Sequence, residues 1–157
     1  MIEVRQVNVD ALKEVRFKVL WPYLNNATEA NIDIDVSDGA IHLAGVVDGK
    51  IVGCASLFLQ DCDRYPGIFN DTKVYRLRAM GVLESVQGMG VGAAIIENAE
   101  KLCADNKAQT IWCDAREAAW GFYSKLGFIY ASCEDGYDYD AYEVRNVGLH
   151  KMMYKNI

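Results

Sequence analysis

The sequence predicts an α/β (α+β) fold in which helices cover a mixed β-sheet. Three observations lead to this prediction. The dipeptide Asp48-Gly49 separates two β-prone runs, which indicates a hairpin early in the chain. From residue 74 onward, apolar runs of strand length and of helix length alternate, as they do in β–α–β units. Between the first of these runs and the second lie Gly88, Gly90 and Gly92, at alternating positions.

The first part of the chain is predicted to form a strand, a helix and a loop. Residues 2–7 alternate apolar and polar side chains, as a half-buried strand does. Apolar residues recur at helical spacing over 10–20, with Asn8 or Asp10 as the cap. Pro22 ends this helix, because the residue before a proline is pushed out of the α region. Residues 23–39 are polar, have no clear period and are interpreted as a loop.

The rest of the chain alternates strands and helices. In order, the predicted elements are hairpin strands over 40–47 and 50–60, a loop over 61–73, a strand over 74–83, a helix over 91–106, a strand over 109–113, a helix over 117–126 that ends at Gly127, a strand over 128–133, an acidic loop over 134–143 and a strand over 149–154. Early hairpins and later β–α–β units together favour a mixed sheet.

Composition narrows the function classes. The 157 residues suit one domain, and the formal net charge of −6 argues against nonspecific nucleic-acid binding while being compatible with a cationic amine substrate. No apolar run approaches the ~18 residues of a membrane helix and no signal peptide is evident, so no membrane association and a cytoplasmic location are expected. The 5 cysteines are scattered without CxxC spacing, which favours structural thiols over a reactive one and predicts no metal site.

The glycine-rich turn between a strand and a helix is typical of an anion site. Backbone N–H groups at a helix start are unpaired, and the helix dipole adds positive potential there. The spacing lacks the GK[ST] ending of a Walker A loop, and it is not GxGxxG with a later ribose-binding acid. We therefore interpret the turn as the site of a phosphate-bearing cofactor, the alternative being a tight structural turn that binds nothing.

The residues around this turn resemble the GNAT N-acetyltransferases. The pattern Gln87-x-x-Gly90-x-Gly92 resembles that family's Q/R-x-x-G-x-G/A loop. The run LRAMGV at 77–82 resembles the preceding strand, and WGFYSKLGF at 120–128 resembles the FYxKLGF segment. Residues 147–153 and 15–22 are similar to the closing strand and the first helix of one subgroup. The matches follow the family's order over essentially the whole chain, which predicts one GNAT-like domain over 1–157.

The resemblance implies a fold and a cofactor. The implied fold is a largely antiparallel central sheet of about six to seven strands, flanked by helices and splayed between the strands at 74–83 and 109–114. The implied cofactor is acetyl-CoA, with coenzyme A as product. Gly81 stands where alanine is common, and Arg116 where many members place an asparagine that bonds the pantetheine arm. The residues assigned to the cofactor are Met80, Gly81, Val82, Gln87, Gly88, Met89, Gly90, Val91, Gly92, Ala93, Arg116 and Tyr123.

Tyr123 is the catalytic acid that the resemblance implies. Its hydroxyl would lie by the cofactor sulfur and donate a proton to the leaving thiolate. A phenol with a pKa near ~10 is protonated at neutral pH and can act in this way. The alternative is a core tyrosine with a bonded hydroxyl.

Attack by an amine also needs a base or a water path, because an alkylammonium is not nucleophilic. Glu84 is the preferred base, since it directly follows the cofactor strand. Asp114 and His150 are alternatives, although Asp114 could instead pair with Arg116 on one face of an extended segment. His42 is interpreted either as lining the acceptor site or as a half-buried, bonded residue.

The predicted reaction is acetyl transfer to a primary amine of a small molecule, by direct attack in a ternary complex without a metal. Alternatives are a protein acceptor, through an N-terminus or a lysine, and a non-catalytic acyl-CoA-binding module, against which Tyr123 argues. GNAT proteins are often dimers, so a homodimer is compatible with the resemblance. An acidic patch is interpreted either as recognising a cationic acceptor or as a solvated loop, and it consists of Glu134, Asp135, Asp138, Asp140 and Glu143.

Overall fold

The computed structural model describes residues 1–131 and 141–157. Over these ranges the chain forms eight strands and three helices, which confirms the predicted α/β class. The chain forms two compact units. The first comprises Met1–Leu59 and Leu77–Leu102, and the second comprises Gln60–Arg76 and Cys103–Ile157.

The first unit contains the predicted hairpin and its neighbouring strands. Its strands are β1 (Ile2–Gln6), β2 (Ile41–Val47), β3 (Lys50–Leu59) and the part of β4 (Val74–Val82) from residue 77 onward. β1 pairs antiparallel with β2, and β2 with β3. Asp48 and Gly49 have φ values of 51° and 77°, the signs that a two-residue type I′ turn requires. The hairpin prediction is therefore confirmed.

Helix α1 (Lys13–Val19) continues a 3-10 turn over Val9–Leu12. The side chain of Asn8 accepts a hydrogen bond of 3.0 Å from the Asp10 N–H, so Asn8 is the cap. The apolar side of this segment packs in a core cluster with β2 and β3. Two 3-10 turns, Ala27–Glu29 and Asp33–Val36, interrupt the predicted loop over 23–39.

A fully buried ion pair joins α1 to the segment that follows it. Arg16 is 0% exposed and donates two hydrogen bonds of 2.8 Å to Asp35. Its guanidinium also donates to the Ala30 carbonyl at 3.3 Å and to Ser56 Oγ at 2.9 Å. His42 belongs to the same network, with Nδ1 2.7 Å from Ser56 Oγ and Nε2 2.9 Å from the Asp35 carbonyl. Of the two interpretations of His42, the bonded structural residue agrees with these contacts.

The second unit is an antiparallel arrangement around the last strand. Its strands are β5 (Thr110–Arg116), β6 (Ile129–Tyr130), β7 (Tyr142–Val144) and β8 (Gly148–Asn156), and its helix is α3 (Trp120–Lys125). β8 pairs with all three of the other strands. β5 is longer and β6 shorter than predicted.

Strand β7 corrects the prediction of an acidic loop over 134–143. Tyr142, Glu143 and Val144 pair antiparallel with β8. The sequence signal was too weak because three residues cannot establish a period of two. Pairing with β8, rather than local propensity, makes this segment a strand.

The described cysteines are buried thiols. Cys54, Cys62, Cys103 and Cys113 are free and buried, while Cys133 lies outside the described residues. Burial raises the pKa of the Cys54 thiol to about 12, so it is neutral at physiological pH. Within the described ranges, no helix has the length and apolarity to cross a membrane, and no group of three or more His, Cys, Asp or Glu could hold a metal ion.

Candidate active site

The glycine turn leads from β4, through a 3-10 turn over Glu84–Val86, into helix α2 (Val91–Asp105). Gly88 and Gly90 have φ values of 83° and 92°, in the region that residues with a Cβ rarely adopt. The turn faces solvent, with Met89 55% exposed at its tip. The glycines are therefore required by the backbone path of an exposed turn.

The start of α2 presents unpaired backbone donors to this turn. The first helical bond runs from the Ala94 N–H to the Gly90 carbonyl, at 3.0 Å. The N–H groups of Val91, Gly92 and Ala93 precede that bond, at the positive end of the helix dipole. Such a group of donors suits an anion, and a pyrophosphate is one that needs several N–H donors at once.

The side chain of Gln87 ties the turn to the end of β4. Its Nε2 donates a hydrogen bond of 3.2 Å to the Val82 carbonyl. Gln87 is exposed and its side chain is neutral, so it cannot form an ion pair with a phosphate. Its contact with Val82 therefore indicates that it holds the turn in position.

The end of β4 contains a backbone irregularity that the sequence did not predict. Ala79 has a φ of 52°, although it lies within the strand and carries a Cβ. A left-handed residue interrupts the regular alternation of a strand and redirects the N–H and C=O groups that follow, here those of Met80 to Val82. The carbonyl of Ala79 accepts a 3.3 Å hydrogen bond from Cys54 Sγ. Alanine gives no signal for this conformation.

Gly81 has a packing reason to lack a side chain. A Cβ at this position would lie 2.6 Å from Val19 Cγ2 and 3.1 Å from Leu20 Cδ2. The end of α1 therefore packs directly on the backbone of β4. This contact accounts for glycine at a position where the resemblance makes alanine common.

Two further glycines position the start of α2, and the sequence prediction missed both. Gly45 on β2 and Gly53 on β3 are cross-strand partners. A Cβ at Gly45 would lie 2.8 Å from Val91 Cγ1, and one at Gly53 would lie 3.0 Å from Ile95 Cδ1. The first turn of α2 therefore rests on a patch of bare backbone. Glycines inside two paired strands were the available signal, since they mark a close approach.

Replacing Gly45 with alanine is expected to displace the first turn of α2. The added methyl group overlaps Val91, and overpacking of this kind costs ~1–3 kcal/mol. Stability measured by urea unfolding should fall. Gly121→Ala is the matched control, because Gly121 lies in α3 with nothing within 4 Å of an added Cβ. That change should stabilise by up to ~1 kcal/mol. An equal loss of stability in Gly45→Ala and Gly121→Ala would contradict this account.

Tyr123 lies on α3 and is buried, with 7% of its surface exposed. Its ring packs against those of Phe122 and Phe128, at centroid distances of 5.1 Å and 5.3 Å. Burial raises the pKa of Tyr123 well above its usual value, and nearby Cys113 adds to this effect while Arg116 opposes it. The phenol is therefore protonated throughout the neutral range. The second unit thus brings together two residues that were assigned to the cofactor, Tyr123 and Arg116.

Glu84 begins the 3-10 turn that follows β4, and it is exposed. It lies two positions after the end of β4, one residue further from the strand than predicted, because β4 ends at Val82. His150 is buried at 8% exposure, and its Nδ1 lies 2.8 Å from the Gly148 carbonyl. One of its ring nitrogens is therefore already engaged and the ring is buried, so of these two candidate bases Glu84 is the accessible one.

Asp114 is paired differently from the prediction. Its carboxylate binds Arg64 and also Arg76, whose Nη2 lies 2.8 Å from Oδ2. The suggested pairing with Arg116 is therefore wrong, because two arginines from a preceding segment of the chain occupy both oxygens.

Most of the acidic patch cannot be assigned to the site. Glu143 is exposed on β7. The other members lie outside the described residues, and they are Glu134, Asp135, Asp138 and Asp140.

Comparison with known proteins shows which family the chain resembles over most of its length. The model of the Acetyltransferase (GNAT) family matches residues 8–128, a range that includes residues of both units. A curated protein of Bacillus subtilis (strain 168), the uncharacterized N-acetyltransferase YitI, is 29% identical over 157 residues. The match covers 100% of this chain and 97% of that protein.

Solved structures share the fold at low sequence identity. Escherichia coli ElaA superposes with a TM-score of 0.73 at 18% identity, covering 99% of each chain. An aminoglycoside 6'-N-acetyltransferase complexed with coenzyme A gives a TM-score of 0.71 at 18% identity, covering 98% of this chain and 96% of that chain. At these identities the likeness shows the fold alone. It is a mixed α/β fold with a mostly antiparallel, open sheet.

Proposed function

This chain belongs to the GNAT acetyltransferase family and is an N-acetyltransferase, and we propose that it acetylates the primary amine of a small molecule with acetyl-CoA as donor. We take the whole chain, residues 1–157, as one acetyltransferase domain. The family membership gives the reaction class. The donor, the acceptor and the residue roles are the proposal.

The observation that carries the proposal is the turn between β4 and α2. Two glycines at positive φ precede a helix whose first N–H groups have no partner within the helix. The pyrophosphate of acetyl-CoA is the anion that this arrangement would hold, through the N–H groups of Val91, Gly92 and Ala93. The Met89 N–H, which the resemblance also assigns to the cofactor, instead donates to the Val86 carbonyl at 3.3 Å. The structural relative with coenzyme A supports the choice of donor.

The reaction proceeds by direct attack. The amine nitrogen bonds to the thioester carbonyl carbon, the carbon–sulfur bond breaks, and the thiolate takes the proton of Tyr123, whose oxygen regains a proton from the nitrogen as the amide forms. Glu84 removes the proton of the acceptor ammonium, directly or through water. Backbone donors near Val82 polarise the carbonyl, and the irregularity at Ala79 supports this role because it redirects the groups that follow. Holding both substrates together supplies much of the rate.

Replacing Gly90 with valine is expected to weaken CoA binding by roughly tenfold or more. A φ of 92° is strained for a β-branched residue at a cost of ~1–3 kcal/mol, so the turn takes another path and its N–H groups no longer converge. Calorimetric titration with CoA measures the change. Gly49→Val is the matched control, because Gly49 has a φ of 77° in the β2–β3 turn with nothing near an added Cβ. Unchanged affinity for CoA in Gly90→Val would contradict the assignment of the turn as the pyrophosphate site.

A thiol-release assay with acetyl-CoA and a panel of amines tests the reaction. Small amines that release coenzyme A in stoichiometric amounts support the proposal, and the aminoglycoside-acetylating relative makes a small-molecule acceptor the favoured one. Turnover only with peptides would assign the acceptor to proteins. Tight CoA binding without turnover of any amine would contradict the proposed reaction.

A further inference from the structure

A cluster of charged side chains in the second unit has no role in the reaction as described. We call it the arginine cluster, and it consists of Arg64, Arg76, Asp114 and Tyr142. Asp114 is central, accepting hydrogen bonds from both arginines and from the Tyr142 hydroxyl. Arg64 also stacks on the Tyr142 ring, with its guanidinium carbon 4.7 Å from the centroid. The cluster is therefore a rigid assembly in which each group holds the others.

The register of the strands places the cluster on one face of this unit. Asp114 and Arg116 are two positions apart on β5, so their side chains share a face. Arg116 is the cross-strand partner of His150, which is also the partner of Tyr142. Direct partners project to the same side of a sheet. The arginine cluster, Arg116 and His150 therefore line one face.

The opposite face carries the helix of Tyr123. Ala115 and its partner Lys151 project to that side, and the Lys151 ammonium lies 4.9 Å from the centroid of the Trp120 ring on α3. Arg116, at the end of β5, is close enough to influence the pKa of Tyr123. The end of β5 thus carries an arginine of this face that acts electrostatically on the proposed acid.

The named groups on this face carry an excess of positive charge. Three guanidiniums, those of Arg64, Arg76 and Arg116, stand against the single carboxylate of Asp114. This excess contrasts with the formal net charge of −6 for the whole chain. Arg64 and Arg76 share the single carboxylate of Asp114, so among these groups their positive charge is only half balanced.

Arg64 has the donors and the access that a binding residue needs. Its side chain is 42% exposed, against 19% for Arg76. A guanidinium has five N–H donors, and the two bonds to Asp114 and the one to the Tyr65 hydroxyl leave further donors. Asp114 and Tyr142 fix the plane of the guanidinium, so little side-chain entropy is lost when an oxyanion binds.

We propose that this face binds an oxyanion, a carboxylate or a phosphate, that the acceptor carries in addition to its amine, and that Arg64 is the principal contact. The inference rests on the proposed function, since it places the anion on the acetyl acceptor. It narrows the acceptor from any small amine to an amine that also bears an acidic group.

The test uses the full chain in the thiol-release assay, with saturating acetyl-CoA and three amines of similar length. β-Alanine carries a carboxylate, O-phosphoethanolamine carries a phosphate, and propylamine carries neither. We expect kcat/KM for one of the two anionic amines to exceed that for propylamine by roughly tenfold or more, as a charge-assisted hydrogen bond implies. Which anionic amine is preferred distinguishes carboxylate from phosphate. Equal or better use of propylamine would overturn the proposal.

Arg64→Met should abolish this preference while leaving kcat/KM for propylamine and the KM for acetyl-CoA unchanged. Asp114 retains Arg76 and Tyr142 in this variant, so no buried carboxylate is left alone. Arg64→Lys should restore part of the preference, since it keeps the charge but not the planar fork. Arg5→Met is the matched control, because Arg5 is an exposed arginine paired with Glu3 on β1. An equal loss for all three amines, or a raised KM for acetyl-CoA alone, would contradict the assignment.

A binding measurement separates failure of this inference from failure of the proposed function. The same amines are titrated into the protein without acetyl-CoA, and the Nε–Hε signal of Arg64 is followed by NMR. If no amine is turned over, the proposed reaction fails, yet a shift with β-alanine or O-phosphoethanolamine and none with propylamine would support the anion site. No shift with either anionic amine at millimolar concentration overturns the site, whatever the turnover.

Discussion

Replacing Tyr123 with phenylalanine is expected to lower kcat by roughly a hundredfold or more, with little change in affinity for acetyl-CoA. General acid catalysis contributes ~10²–10⁴-fold, and phenylalanine lacks only the proton that the thiolate would take. The ring should keep its place between Phe122 and Phe128, since it packs through its edges and faces. Steady-state kinetics and calorimetric titration with acetyl-CoA measure the two effects separately.

A second buried tyrosine serves as the control for this change. Tyr75 is 2% exposed, and its hydroxyl is hydrogen-bonded to Asn106. Tyr75→Phe should reduce stability by ~1 kcal/mol and leave kcat unchanged. Because burial raises the pKa of Tyr123, kcat of the wild-type protein should show no loss from its ionisation below pH ~10. A kcat of Tyr123→Phe equal to that of the wild type would leave Tyr123 as a core residue only.

Replacing Arg16 with methionine is expected to reduce the free energy of unfolding by ~3–5 kcal/mol at neutral pH. The change leaves the buried carboxylate of Asp35 without its partner, and Ser56 loses a donor. The segment that carries Asp35 is short and held by 3-10 turns, so few other contacts replace the lost ones. Urea unfolding followed by circular dichroism measures the loss. The exposed pair of Arg5 and Glu3 is the control, and Arg5→Met should change stability by less than ~1 kcal/mol.

The pH dependence of this loss identifies Asp35 as its cause. Burial alone raises the pKa of Asp35, but the hydrogen bond from Arg16, the Ile32 N–H and the charge of Arg16 together lower it below its usual value. In the wild-type protein this stabilisation is therefore complete above the unfolded pKa of ~3.9 and is lost as the pH falls through the folded pKa. In Arg16→Met the two effects of Arg16 that lower the pKa are lost, while burial, the Ile32 bond and the influence of His42 remain, so the folded pKa rises. The stability difference between the two proteins should then shrink as the pH falls toward ~4. A difference that is constant with pH would point to lost packing instead.

The elements that were predicted well are those specified by neighbouring residues. Asp48-Gly49 adopts the positive φ values of a hairpin turn, and Gly127, with a φ of 93°, follows α3 where the helix was predicted to end. Both depend on backbone preferences of single residues, which are present before any tertiary contact forms. Strand β7 was missed because its three residues become a strand only by pairing with β8.

The features of the candidate site likewise fall into those with a local sequence signal and those without one. The pattern from Gln87 to Gly92 predicted the turn because glycines at positive φ have a local signature. The conformation of Ala79, the bare patch of Gly45 and Gly53 under α2, and the binding of Asp114 by Arg64 and Arg76 had no such signature. Each of them joins residues far apart in the chain, or holds a residue in a conformation that its own type disfavours.

The sequence by itself determined the family, most of the order of strands and helices, and the glycine turn, which we propose as the place of the cofactor phosphates. These follow from periodicity, turn residues and motif spacing, which are properties of short segments. The tertiary structure decided how α2 is seated on the sheet, where β4 becomes irregular, and which cations hold Asp114. Packing and charge pairing between distant segments decide those features, because a contact energy exists only once the chain has brought its two partners together.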